Sequence, residues 1–84
     1  MSSLFNRFSQ FPKNHVDITA AKSDTVDLVR PMLIFCGTTG TIAVMDDKGT
    51  SITYTIDTAG AILPIIAKRV LSTGTNITQI IGLY

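Results

Sequence analysis

The 84-residue sequence predicts an all-β fold: a small antiparallel β-sandwich, jelly-roll-like, with an extended N-terminal arm. Three observations predict it. Ile, Val and Thr, whose branched Cβ suits a pleated sheet better than a helix, crowd residues 41–84. Short apolar or alternating runs recur there at roughly ten-residue intervals, separated by turns rich in Gly and Asp. Every acid is Asp, a cap and turn former, and Glu, a helix former, is absent.

Residues 1–15 differ from the rest and are expected to form a docking arm, with residues 16–84 as the sandwich domain. The arm holds Phe5, Phe8 and Phe11, together with Arg7 and Lys13, and no acid. Spacing by three sets the rings along one side of a short helical or 3₁₀ turn, which Pro12 ends. Such an arm either folds back onto its own domain or docks its rings into a neighbouring subunit or a larger scaffold. Residues 16–19 alternate apolar and polar, as expected of a short edge strand. Ser23 and Asp24 are placed to start a helical turn over residues 24–28, too short to stand alone. Arg30-Pro31 imposes extended backbone. The apolar run at residues 32–36 then has the length of a strand buried on both faces, with Cys36 as a small buried hydrophobe.

Gly37-Thr38-Thr39-Gly40 turns the chain into a strand at residues 41–45. Asp46-Asp47-Lys48-Gly49 is a hairpin loop with glycine where φ is positive. Residues 51–56 return with Ile52, Tyr54 and Ile56 inward and Ser51, Thr53 and Thr55 outward. After Asp57-Thr58-Ala59-Gly60, residues 62–71 run extended, and Pro64 requires an edge, a bulge or a strand start. Following Ser72-Thr73-Gly74-Thr75-Asn76, the last strand spans residues 77–84. It places Ile77, Gln79, Ile81 and Leu83 on one face and Thr78, Ile80, Gly82 and Tyr84 on the other. Both faces are apolar in part, so the domain is expected to cover one and a partner the other.

Size and composition favour association. A chain of this length buries only about 60–65% of the surface its unfolded form exposes, which leaves marginal stability in isolation. One cysteine allows no internal disulfide. Charged residues make up 15% of the sequence, against about 25% in average domains, and mean hydropathy is positive. A surface so poor in charge must be covered by Thr, Ser, Asn and Gln, or by a partner. Net charge is +1, with no basic cluster larger than Lys68-Arg69, which disfavours nucleic acid. No apolar run reaches the length of a membrane-spanning helix, and the N-terminus is unlike a signal peptide.

No reaction centre is expected. His15 is the only base near neutral pKa and lies in the arm. Asp46 and Asp47 diverge into water in a hairpin loop, and Asp17, Asp24 and Asp27 match no Ca²⁺ loop. The glycine-rich stretch at residues 37–41 lacks the Lys and the helix of a phosphate loop. No catalytic residue, cofactor or metal ligand is assigned. The residues expected at an interface with a neighbouring subunit or a larger scaffold are Phe5, Arg7, Phe8, Phe11, Ile80 and Tyr84. A host-glycan-binding β module is the alternative from another class; it needs exposed aromatic platforms, and the strands offer only Tyr54 and Tyr84.

An ordered set of short motifs carries a resemblance. Asp17-Ile18-Thr19, Ser23-Asp24 and Asp27-Leu28 open it, and Cys36-Gly37-Thr38-Thr39-Gly40-Thr41-Ile42-Ala43-Val44 follows. Ala59-Gly60-Ala61-Ile62-Leu63-Pro64, Lys68-Arg69-Val70-Leu71 and Ser72-Thr73-Gly74-Thr75-Asn76-Ile77-Thr78-Gln79-Ile80-Ile81-Gly82-Leu83-Tyr84 complete it. Across residues 16–84 the chain resembles the spike base protein family of tailed bacteriophages and gene transfer agents, small proteins of the virion head. The resemblance implies a non-enzymatic β-sandwich, made in the host cytoplasm, that assembles as a homo-oligomeric ring, a pentamer, on the outer surface of the head. It implies the major capsid protein on one side and a spike or fibre protein on the other, with no nucleic acid and no membrane. A decoration protein that cements capsomers is the alternative within that class.

Overall fold

Residues 12–84 are described by a computed structural model, and they form two antiparallel sheets around one core. The strands are β1 (His15–Asp17), β2 (Met32–Cys36), β3 (Gly40–Met45), β4 (Ser51–Ile56), β5 (Ala61–Ala67), β6 (Arg69–Val70) and β7 (Ile80–Leu83). The first sheet has the order β1-β7-β2-β5 and the second β4-β3-β6. The β-sandwich expected from the branched residues is therefore the observed fold.

The core lies between the sheets. Met32, Ile34 and Cys36 from β2, Leu63 and Ala67 from β5, and Ile80 from β7 meet Ile42 and Val44 from β3, Ile56 from β4 and Val70 from β6. Alternation along β2 explains its inward set: Met32, Ile34 and Cys36 are buried, while Leu33 and Phe35 point outward and are half-buried. The strand is thus closed on one face and partly open on the other, not sealed on both. Burial also pushes the Cys36 thiol above its ordinary pKa, so it stays protonated and behaves as a small hydrophobe.

The β3–β4 hairpin closes as its turn chemistry dictates. The Asp46 carboxylate accepts from the amides of Lys48 and Thr50, both at 2.9 Å, and Gly49 takes φ +87°. Ile52, expected inward, is 53% exposed on the edge strand β4, although its cross-strand partner Val44 on β3 is buried in the core.

Two other boundaries differ from the sequence pattern, each for a local reason, while Pro64 falls where its missing amide requires. The extended stretch over 62–71 is two strands in different sheets. The chain crosses between them at Lys68, whose amide donates to Met45 O and whose carbonyl accepts from Leu28 N. Pro64 falls in an edge strand at a bulge: Leu33 pairs with Ile66 and Ile34 with Leu63, so Pro64 and Ile65 have no partner residue on β2. The last strand begins only at Ile80, since the residues before it bond elsewhere. Asn76 Oδ1 accepts from Thr41 N, Thr75 Oγ1 accepts from Ala43 N, and Thr38 Oγ1 accepts from Thr78 N. Side chains of this loop thereby take the place of ladder bonds along β3.

The segment before β2 also differs. The helical turn lies at Thr19–Ala21, as 3₁₀, and not over residues 24–28. There Ser23 Oγ accepts from the amides of Thr25 and Val26 and the backbone bends instead. Arg69 staples this segment to β6: its Nε donates to Asp27 Oδ1 at 2.7 Å and its Nη1 to Asp24 O at 3.1 Å. The Asp27 side chain is half exposed, so Asp27→Asn is expected to lower stability by no more than about 1 kcal/mol in urea melts.

Asp24 completes the clamp, accepting from the Thr73 hydroxyl at 2.6 Å and from the Thr73 amide at 2.9 Å. These bonds hold its carboxyl below the ordinary carboxylate pKa, and the Thr19 amide and hydroxyl do the same for Asp17. A depressed folded pKa gives stability that is present above the unfolded value, near about 3.9, and lost as pH falls through the folded value. Melting temperature is therefore expected to decline below about pH 4, and less steeply in Asp24→Asn. Equal slopes for the two proteins would show that Asp24 is not a source of the decline.

Candidate assembly surface

The outer face of the β1-β7-β2-β5 sheet presents an apolar surface among the described residues. Strand register builds it. Leu83 of β7 stands opposite Leu33 of β2, and Leu33 opposite Ile66 of β5. One step along, Ile81 stands opposite Phe35, and Phe35 opposite Ile62. Cross-strand partners share a face, so these six apolar side chains form two adjacent rows. Leu33, Phe35, Ile81 and Leu83 are half-buried by their neighbours, while Ile62 and Ile66 are 54% and 51% exposed. At the β1 edge the rows end on His15 and Asp17, both exposed.

An isolated exposed Leu or Ile is ordinary; a contiguous apolar sheet face with a polar border is the mark of an interaction site. At one end of the face residues 13 and 14 meet residue 84. Tyr84 O accepts from Lys13 N at 2.9 Å and from Asn14 N at 2.6 Å, and Tyr84 N donates to Asn14 O at 2.9 Å. Arg30 lies over the Tyr84 ring, 4.4 Å from its centroid, a cation–π contact. Pro12, Arg30, Pro31 and Tyr84 thus rim a shallow cleft floored by Leu33, Ile66 and Leu83.

The predicted interface residues are placed unequally. Tyr84 is half-buried at the rim of this face, packed against the core. Ile80 is fully buried in the core and presents nothing to a partner; the outward residues of its strand are Ile81 and Leu83. Alternation separates the two faces of a strand without saying which is inside. The signal for that was Gly82, which shares a face with Ile80. A Cβ there would run into the Met32 thioether, so the glycine marks the crowded, inner side. Phe5, Arg7, Phe8 and Phe11 lie outside the described residues. Leu33, Phe35, Ile62 and Ile66 were not singled out, although the unbroken apolar runs of β2 and β5 contain them.

Chemistry for other roles is sparse. Among the described residues no group of three His, Cys, Asp or Glu stands together as metal ligands do, and no helix is long and apolar enough to cross a membrane. Tyr54 packs against the core.

The fold places the chain in a class, that of small two-sheet antiparallel β-sandwiches. No protein-family model matches the sequence, and no curated protein matches it. Among solved structures, the chain is similar to a protein in the capsid of a native gene transfer agent (GTA) particle, computed with C5 symmetry. The two are 38% identical with a TM-score of 0.76, over 87% of this chain and 83% of the other. The chain belongs to the same family as that gene transfer agent capsid protein.

Proposed function

We propose that the protein is a structural component of a virion head that forms a closed ring at a five-fold vertex and serves as the base for a spike or fibre. The observation that carries this reading is the family relationship to a protein of a capsid solved with C5 symmetry. The apolar sheet face supports it, because a ring subunit needs surface that is unsatisfied in the protomer. The role is one of attachment, without catalysis, and its partners are the major capsid protein, further copies of itself and the spike or fibre. Phe5, Arg7, Phe8 and Phe11 supply arm contacts to the capsid or to an adjacent subunit, and Tyr84 anchors the rim beside them.

Removal of the gene from the producing strain tests the reading. Particles are expected to keep intact, full heads and to lose the spike or fibre at their vertices in negative-stain images. Heads that keep their spikes but rupture on mild heating would instead identify a cement protein.

A further inference from the structure

We infer that the apolar outer face of the β1-β7-β2-β5 sheet is the receptor for residues 1–11 of a neighbouring copy, so that the ring closes by arm exchange. The inference rests on the ring proposed above and names the two surfaces that join. Four observations lead to it. The face offers Leu33, Phe35, Ile62, Ile66, Ile81 and Leu83 in register, with nothing among the described residues lying over it. The eleven residues outside the described chain hold Phe5, Phe8 and Phe11, the matching apolar chemistry. They join the domain at Pro12, which lines the cleft at the rim of this face, and Lys13 and Asn14 are pinned there by Tyr84 O. The segment also contains Arg7 and no acid, and one row of the face ends on the exposed carboxylate of Asp17, while Lys13 and Arg30 stand at the Tyr84 end.

Symmetry selects the neighbour over the same copy. A head-to-tail ring requires two unlike, complementary surfaces on every subunit, and the aromatic segment and the apolar face are such a pair. Reach is sufficient, since eleven extended residues span about 36–40 Å.

Single thiols placed on separate copies test this. Phe8→Cys is made in a copy with one tag and Ile62→Cys in a copy with another, the two are co-assembled on particles, and the mixture is oxidised. Cys36, fully buried, is a silent background. A disulfide joining the two tags is expected, and the chain bearing both substitutions is expected to give a ladder of linked copies. Ile66→Cys in place of Ile62→Cys repeats the test on a second face position. Linkage confined to single chains would overturn the inference by showing that the segment covers its own face. Its absence at both positions, on particles that hold the protein at normal copy number, would overturn it too. Either of those results leaves the vertex ring intact, whereas protein found away from the vertices sinks the spike-base reading itself.

Discussion

Replacing Ile62 and Ile66 together by aspartate is expected to strip the protein from its particle while leaving the protomer folded, its melting temperature lower by at most about 8 °C. Both side chains are about half exposed, so the folded protomer draws little from them, and surface changes of this kind usually stay within about 0.5 kcal/mol each. In an interface the remaining half of each side chain would be buried. At about 1.5–3 kcal/mol for a fully buried Ile, the two remaining halves together contribute roughly 1.5–3 kcal/mol. That corresponds to about 12- to 140-fold in affinity, before the added cost of desolvating two carboxylates. Ile52→Asp is the matched control, because Ile52 is 53% exposed but sits on the other sheet. Occupancy on purified particles, measured by quantitative mass spectrometry, should fall for the double variant and hold for the control. Equal occupancy in both would remove the sheet face from the assembly.

The second expectation concerns the protomer itself. Gly82→Val should destabilise it strongly, and Gly82→Ala by about 1–3 kcal/mol, which is about 4–24 °C in melting temperature for a domain of this size. Gly82 is buried where β7 passes over the core. An added Cβ meets the Met32 sulfur and lies 3.4 Å from Ile18 Cγ2, and those side chains are 1% and 4% exposed, with no open side into which to retreat. Total stabilities of small domains are only about 5–15 kcal/mol, so the loss is a large share. Met32→Val removes the obstructing thioether, and combined with Gly82→Ala it should cost less than the two single changes summed, since residues in contact are coupled. Additive losses in urea melts would mean that the two sites do not touch.

How much of this was legible in the sequence depends on whether backbone or tertiary packing decided the matter. Strand identity was legible, because branched residues and Gly or Asp turns act locally: β2, β3 and β4 fall where the pattern puts them, within a residue. The bulge at Pro64 followed from its missing amide. The break at Lys68 did not, since an unbroken extended run reads the same whether it stays in one sheet or crosses to another. The late start of β7 was hidden for a related reason. Thr75 and Asn76 bond β3 through their side chains, a use that sequence pattern does not distinguish from a strand.

The candidate surface was half legible. That β7 carried apolar residues on both faces was visible, and it implied a cover beyond the domain. Which face looked outward turned on Gly82 against Met32, a contact between residues fifty positions apart. That the runs in β2, β5 and β7 lie side by side, pooling their outward residues into one patch, is a matter of strand order, which local spacing does not encode.

A reconstruction of the particle at side-chain resolution tests most directly whether this protein exists to have its open sheet covered. It should show the chain in a closed ring at the five-fold vertices, with Leu33, Phe35, Ile62 and Ile66 buried under another polypeptide segment. A chain sitting on the particle with those four side chains facing solvent would contradict that.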